Sequence, residues 1–138
     1  MSDNATYSLH LPSERSAITL VEPFLRSISE LAALGPSRFH DLHVALTEAV
    51  NNAIIHGNRC QPECFVDVEV RTTPAEIAVM VRDVGTGFDV QAVPDPTLPE
   101  NILREGGRGI FLIRHLADAV EFHDGMPGTV VILRYFPR

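Results

Sequence analysis

Hydrophobic and polar residues alternate along several short segments of the chain, a period of two that is typical of half-buried β-strands. The first alternating segment ends at Pro12, and the second alternates valines with charged residues from Val66 to Val70. Only a short connection separates this second segment from the apolar segment at 76–82, so these two segments predict an antiparallel hairpin. The pattern predicts five strands, at residues 6–11, 66–71, 76–82, 120–122 and 129–136.

Apolar residues recur every three or four positions in three other segments, which predicts helices that each bury one face. The first helix is expected to begin at Ser13, where a serine is compatible with an N-terminal cap, and to end at Gly35-Pro36. The second is expected from about Ser37 to Gly57, and the third from Gly107. Their apolar positions are Ile18, Val21, Leu25, Ile28 and Leu31, then Phe39, Leu42, Leu46, Ala49, Val50 and Ala53, then Ile110, Phe111, Ile113, Leu116 and Ala117.

The order of these elements defines the expected fold class. Strands joined mostly by short turns, together with helices that carry one apolar face, predict a mixed, mostly antiparallel sheet with helices packed on one face. This arrangement is an α+β two-layer sandwich. The chain has 138 residues, enough for one hydrophobic core, and we expect a single domain over residues 1–138.

Composition and charge narrow the expected partners. With 45% hydrophobic residues and no apolar run near the roughly 18 residues that a membrane span needs, we expect no membrane insertion. The start of the chain lacks the basic and apolar stretches of a secretory signal, which favours a cytoplasmic location. A net charge of −7 without a basic cluster argues against direct nucleic-acid binding, so proteins and small anions are the expected partners.

Two cysteines follow a histidine at spacings that suit metal ligands, as His56-x3-Cys60-x3-Cys64. These residue types ligate zinc, but a fourth ligand is not evident and Pro62 interrupts the segment. We therefore expect two reduced thiols in a loop between a helix and a strand.

Glu48 and Asn52 lie one turn apart on the second predicted helix, on a different side from its apolar stripe. A carboxylate beside a carboxamide suits Mg²⁺ and a phosphate reaction, because the amide oxygen ligates the ion and the acid orients or deprotonates a nucleophile. A solvated helix face is the commoner explanation of such a pair taken alone. Only the motifs that follow favour the functional interpretation.

A carboxylate and two glycines follow the strand predicted at 76–82, in the order Asp83-Val-Gly85-Thr-Gly87-Phe88. A carboxylate at a strand end accepts a hydrogen bond from an exocyclic amine such as that of adenine, and glycines let the backbone lie close to a flat ligand. A plain turn that contains Asp and Gly explains the same residues about as well.

Three glycines in four residues, Gly106-Gly-Arg-Gly109, open the third predicted helix. Amides at a helix N-terminus and the helix dipole bind phosphate oxygens, so this segment predicts a phosphate site. Arg104 and Arg108 add positive charge, but both are equally consistent with solvated or partner-facing residues. Residues 88–106, which contain several prolines and little periodicity, predict either a mobile lid or a disordered surface loop.

Together these motifs resemble the ATP-binding domain of the GHKL superfamily, which includes gyrase-type topoisomerases, mismatch-repair ATPases, heat-shock chaperones and histidine kinases. The resemblance spans nearly the whole chain, and it is greatest to the small bacterial anti-sigma factor serine kinases. The matching segments are Glu48-Ala-Val-Asn-Asn-Ala-Ile-Ile-His56, Asp83-Val-Gly-Thr-Gly-Phe-Asp89 and Gly107-Arg-Gly-Ile110.

The resemblance implies a role for each motif residue. It implies that Glu48 is a general base, that Asn52 is a Mg²⁺ ligand and that Asp83 recognises adenine. His56 lies inside the first motif, but it is equally consistent with a satisfied histidine at a helix end. The remaining implied roles are the turn beneath the base for Gly85 and Gly87, the phosphate-binding lid at about 88–109 for Gly107 and Gly109, and a hydroxyl beside the adenine for Thr129.

The activity implied by the resemblance is that of an anti-sigma factor that is also a protein serine/threonine kinase using ATP and Mg²⁺. Such kinases act as homodimers, hold a sigma factor away from RNA polymerase and phosphorylate an anti-anti-sigma protein of the STAS type. We expect neither the phosphoacceptor hairpin of a histidine autokinase nor the transducer domain of a gyrase-like ATPase. The alternative is a regulatory module without phosphotransfer, in which ATP orders the lid and the chain sequesters a sigma factor or another protein.

Overall fold

The computed structural model describes residues 4–85 and 107–137 of the chain. The strands within these ranges are β1 (Ala5–Pro12), β2 (Phe65–Thr72), β3 (Ile77–Arg82), β4 (Ala119–Asp124) and β5 (Thr129–Tyr135). The α-helices are α1 (Val21–Arg26), α2 (Gly35–Asn52) and α3 (Gly107–Leu116), with 3-10 helices at Arg15–Leu20 and Ser29–Leu34 and a π-helical turn at Ala53–Gly57.

The five strands form one sheet in the order β1-β2-β3-β5-β4. Every neighbouring pair among these described strands is antiparallel, so the sheet is antiparallel throughout them where the sequence predicts a mostly antiparallel one. The register aligns one row of apolar residues across all five strands, made of Leu9, Val68, Val81, Val131 and Phe122. The predicted hairpin β2–β3 is present, and β4 and β5 also pair antiparallel around the connection at residues 125–128.

The helices cover one face of this sheet, and the core lies between the two layers. In β2 the residues at even positions, from Val66 to Thr72, are buried, whereas Phe65, Asp67 and Arg71 on the other face are exposed. The predicted α+β two-layer sandwich is therefore confirmed. The largest fully buried side chains include Leu11, Leu25, Leu31, Leu42, Leu46, Ile54, Ile113 and Leu133.

The first helical region consists of three short pieces, so the single helix predicted there is wrong. The Ser13 hydroxyl does not cap a helix; it donates to the carbonyl oxygen of Cys64 at 2.5 Å. Ile28 has an extended backbone (φ −96°, ψ 101°), and this interrupts the helical hydrogen bonds before Ser29. The predicted apolar positions still lie in the core or against it, because short helical pieces keep nearly the same side-chain spacing.

α2 begins earlier than predicted and ends in a wider turn. The sequence predicts that Gly35 and Pro36 separate two helices, but they are the first residues of α2, where the missing N–H of proline removes no helical hydrogen bond. The regular helix ends at Asn52, and the N–H of Asn58 donates to the carbonyl oxygen of Ala53 at 2.8 Å, five residues back. This π-helical turn leaves Gly57 and Asn58 buried.

α3 packs along α2. Its residues Ile110 and Ile113 are buried. The C-terminal end of α3 is held by the hydroxyl of Tyr135, which donates to the carbonyl oxygen of Leu116 at 2.9 Å. This bond ties the C-terminal end of α3 to the last residue of β5. No helix in the described part of the chain is long and apolar enough to cross a membrane.

Candidate functional site

Asp83 lies immediately after β3 and is almost completely buried, with 3% of its surface exposed. One carboxylate oxygen, Oδ1, accepts the backbone N–H of Thr129 at 3.2 Å and that of Gly85 at 3.3 Å. The backbone N–H of Asp83 in turn donates to the carbonyl oxygen of Thr129 at 3.1 Å. Thr129 at the start of β5 therefore holds Asp83 through both its side chain and its backbone.

Burial raises the pKa of the Asp83 carboxyl above its ordinary value, while the N–H groups of Gly85 and Thr129 lower it in part. No residue that the structure describes donates to the second oxygen, Oδ2. An acceptor that is buried, held in place and still available on one oxygen is suited to a polar hydrogen of a flat ligand.

Close backbone contacts surround this carboxylate and require glycine. A Cβ atom on Gly85 would lie 1.6 Å from the carbonyl oxygen of Gly57. A Cβ atom on Gly128 would lie 2.0 Å from the carbonyl oxygen of Asp83, and Gly128 also has a φ of +91°, which side chains disfavour. Gly85 is one of the residues implied by the resemblance, whereas Gly57 and Gly128 are not.

Glu48 and Asn52 lie on α2 at the N-terminal end of α3, and both are half-buried. A Cβ atom on Gly109 would lie 3.0 Å from Nδ2 of Asn52 and 3.2 Å from Oε2 of Glu48. The two side chains thus face the first turn of α3, as expected for a pair that does not belong to the apolar stripe. Their oxygens are the hard donors that Mg²⁺ prefers, and they lie where a helix N-terminus attracts phosphate.

Asp83 and Asn52 both line one narrow cavity. The other lining residues are apolar, and the cavity holds about 10 Å³, room for about one water molecule. A planar base therefore fits only after its walls move apart. The cavity is lined by Ala49, Asn52, Ala53, Val81, Asp83, Ile110, Ile113, Phe122 and Val131.

Larger cavities lie elsewhere in the described part of the chain. One of about 580 Å³ is bounded by α1, the start of α2 and the 3-10 helix between them, one of about 670 Å³ lies near Tyr135 at the end of β5, and one of about 240 Å³ lies over strands β2, β3 and β5. None of these three is lined by a residue that the sequence predicts for the site, so volume alone does not locate the site.

Several predicted residues lie outside the described part of the chain: Gly87, the lid segment 88–106 and Arg104. Gly107 is the first residue of α3, which follows that segment, and Thr129 is the first residue of β5. The structure therefore brings together Glu48, Asn52 and Gly109 on one side, and Asp83, Gly85 and Thr129 on the other.

His56 and the two cysteines are not brought into this group by any described contact. His56 is half-buried in the π-helical turn, Cys60 is exposed and Cys64 is half-buried in the loop before β2. Within the described residues, no three side chains of His, Cys, Asp or Glu are grouped to hold a metal ion.

Asn58 also contributes to this region, and the sequence does not identify it as a site residue. It is 2% exposed, and its side-chain Oδ1 accepts the N–H of Val84, the residue after Asp83, at 2.9 Å. A single asparagine in a loop has no periodic pattern, so the only available signal is its place directly after the first motif.

A buried strand-end carboxylate, an acid–amide pair at a helix N-terminus and an apolar cavity beside them are features expected of a nucleotide-binding α+β domain. Residues 11–135 match the family of histidine kinase-like ATPase domains. The chain belongs to this family, and the resemblance seen in its motifs is confirmed.

Curated relatives include two bacterial kinases. The chain is 28% identical over 141 residues to the serine-protein kinase RsbW of Listeria innocua, with 98% of this chain and 88% of the relative covered. It is also 28% identical over 137 residues to the serine-protein kinase RsbW of Staphylococcus epidermidis, with 94% and 86% covered.

Two solved structures share the fold. The crystal structure of the RsbU and RsbW domains of a Mycobacterium tuberculosis protein matches with a TM-score of 0.60 and 20% identity over 96% of this chain. The histidine kinase domain of a blue-light activated histidine kinase from Erythrobacter litoralis matches with a TM-score of 0.57 and 16% identity over 91% of this chain. The chain spans 32% of the first structure and 61% of the second.

Proposed function

We propose that this chain is an ATP-dependent protein serine/threonine kinase that serves as an anti-sigma factor in a partner-switching system. Its substrate is an anti-anti-sigma protein of the STAS type, and the partner that it sequesters is a sigma factor. It acts in the cytoplasm as a homodimer of single-domain chains. Membership of the ATPase domain family, the names of the Listeria and Staphylococcus relatives and the three motifs support this proposal.

The observation that carries the proposal is the position of the Glu48 carboxylate. It lies beside the first turn of α3, next to Asn52, and Asn52 lines the same cavity as Asp83. A nucleotide held by its base at Asp83 has its phosphates directed toward the N-terminus of α3, because a helix N-terminus offers backbone amides and a favourable dipole.

On the base side, Oδ2 of Asp83 accepts a hydrogen bond from the exocyclic amine of adenine. The Thr129 hydroxyl lies beside the base, and Gly85 and Gly87 let the backbone approach its plane. Guanine has a carbonyl oxygen where adenine has this amine, so a fixed carboxylate repels it. The proposal therefore includes a preference for ATP over GTP.

On the phosphate side, the amides of Gly107 and Gly109 bind phosphate oxygens, and the amide oxygen of Asn52 would hold Mg²⁺. The ion would supply neutralisation of the negative charge on the phosphates. Glu48 accepts the proton of the substrate serine as the serine oxygen attacks the terminal phosphorus and ADP leaves.

The test combines ATP binding with phosphotransfer to the anti-anti-sigma proteins of the same organism. Glu48→Gln keeps the size of the side chain and removes the base, so we expect phosphotransfer to fall by at least about 100-fold while ATP affinity changes by less than about threefold. Asp83→Asn reverses the hydrogen-bonding role at Oδ2 and should abolish tight ATP binding. The exposed Glu14, changed to Gln, is the matched control.

Each result has a distinct meaning. Normal phosphotransfer by Glu48→Gln would show that Glu48 is not the base. ATP binding by the wild-type chain without phosphotransfer to any of the partner proteins would favour the regulatory module that sequesters its partner without catalysis. Absence of ATP binding by the wild-type chain would overturn both versions.

A further inference from the structure

Asn58 occupies a buried position between four segments of the chain. It follows the π-helical turn directly, and its own backbone N–H donates to Ala53. A buried carboxamide is unfavourable unless its polar atoms are bonded, so its side-chain contacts indicate what this residue does.

The amide nitrogen of Asn58 anchors the residue to the outer part of the fold. Nδ2 lies 2.9 Å from the hydroxyl oxygen of Ser13, 3.1 Å from the carbonyl oxygen of Phe65 and 3.3 Å from that of Cys64. The Ser13 hydroxyl donates in turn to Cys64. Ser13 follows β1 and Phe65 begins β2, so these contacts fix Asn58 against the first two strands.

The amide oxygen of Asn58 points the other way, toward the nucleotide site. It accepts the N–H of Val84 at 2.9 Å. β3 ends at Arg82, so this N–H lies beyond the sheet. The neighbouring Gly85 lies so close to the carbonyl oxygen of Gly57 that no Cβ fits between them.

We propose that Asn58 is a positioning residue for base recognition: through Val84 it holds the segment after β3 so that the Asp83 carboxylate stays where it distinguishes adenine from guanine. Asp83 is fixed on one side by Thr129 of β5 and, through Val84, on the other side by Asn58. Asn58 acts on the backbone that follows Asp83, and that backbone carries the Gly85 N–H that bonds the carboxylate, so a fixed Val84 keeps the carboxylate from turning away from the carbonyl oxygen of guanine.

This proposal rests on the proposed function, because it assumes that the cavity beside Asp83 binds a nucleotide base. It adds a residue that makes no contact with the ligand and that determines which base is bound. A role in folding alone would change stability without changing the ratio of the affinities for ATP and GTP.

The experiment compares Asn58→Ala with Ser13→Ala, both as full-length chains, by calorimetric titration with ATP and GTP in the presence of Mg²⁺. Asn58→Ala removes the acceptor for Val84, whereas Ser13→Ala removes a buried hydrogen bond of the same cluster and leaves that acceptor in place. Both variants should lose stability. Only Asn58→Ala should lower the ratio of ATP affinity to GTP affinity, by about tenfold.

A ratio that stays within about twofold of the wild-type value in folded Asn58→Ala would overturn the proposal. An equal decrease of this ratio in Ser13→Ala would also overturn it, because the decrease would then follow from a general loss of structure around Asn58. If the wild-type chain binds neither nucleotide, the proposed function fails, and this outcome is distinct because it appears before any variant is compared.

A measurement on the wild-type chain covers the case in which Asn58→Ala does not fold. The N–H of Val84 should exchange with solvent as slowly as the hydrogen-bonded amides of β3, because Asn58 bonds it outside the sheet. Fast exchange at Val84 beside slow exchange in β3 would overturn the proposal, since Asn58 would not hold this segment.

Discussion

The two sides of the candidate site are built in different ways. On the base side, backbone amides bond the Asp83 carboxylate, and backbone atoms contact Gly85 and Gly128 at distances that exclude any side chain. On the phosphate side, Glu48 and Asn52 extend from a half-buried helix face, and their side chains make no hydrogen bond to another residue in the ranges that the structure describes.

This difference separates the parts of the site that the fold determines from those that a ligand completes. The pairing of β3 with β5 places Asp83 on the base side, because the bonds between Asp83 and Thr129 extend that pairing by one residue. On the phosphate side no hydrogen bond to a described residue fixes the ends of Glu48 and Asn52, so under the proposed function ordering them would cost conformational entropy that the ion and phosphate offset. Substitutions of similar size should therefore change the free energy of unfolding by different amounts on the two sides.

The largest effect is expected from Gly128→Ala on the base side. The new Cβ meets the carbonyl oxygen of Asp83 and occupies a left-handed φ, so we expect the free energy of unfolding to fall by about 3 kcal/mol. Urea denaturation measures this change. The matched control is Gly35→Ala, because Gly35 also has a positive φ (80°) but no atom within 4 Å of its Cβ position. Equal losses in the two variants would show that backbone strain, and not the contact with Asp83, is responsible.

A smaller effect is expected from the ionisation of Asp83. Burial raises its folded-state pKa above the ordinary value of 3.8, so between the two values the folded chain binds more protons than the unfolded chain. Stability due to this group should fall as pH rises from near 3.8 through the raised pKa and then level off. Urea denaturation of wild type and Asp83→Asn across this range should show the variant gaining relative stability as pH rises. A constant difference would contradict the burial of an ionising carboxylate.

The smallest effect on stability is expected from Gly109→Ala on the phosphate side. The new Cβ meets only the ends of the Asn52 and Glu48 side chains, which can move, and alanine favours a helix over glycine by up to about 1 kcal/mol. We expect the free energy of unfolding to change by less than about 1 kcal/mol, while ATP affinity falls because the Cβ occupies space beside the phosphates. A loss of stability as large as that of Gly128→Ala would remove the distinction between the two sides.

The regular elements were predictable because one buried face leaves a period in the sequence. The alternation from Val66 to Val70 gives β2 its correct face, and the spacing of Leu42 and Leu46 does the same for α2. The Glu48–Asn52 pair was placed away from the apolar stripe by helix geometry alone. These predictions depend on local spacing, and tertiary contacts do not alter it.

The parts that were not predictable depend on contacts between distant segments. Ser13 has the chemistry of a helix cap, but its hydroxyl bonds a carbonyl 51 residues away. Asn58 carries no pattern at all, and Gly128 is recognisable only as part of a turn, although its real constraint is the carbonyl oxygen of Asp83. The first helical region was predicted as continuous because its apolar spacing survives the break at Ile28.

The bond between the Asp83 carboxylate and the Thr129 amide also bears on how the chain folds. It joins residues 46 positions apart, and the bond from Asn58 to Ser13 joins residues 45 positions apart. Such contacts form slowly, because a long loop must close before they contribute. A chain that is still emerging from the ribosome contains Asp83 well before β5 is synthesised. The Asp83 carboxylate therefore reaches its final position only after β5 has been synthesised and has paired with β3.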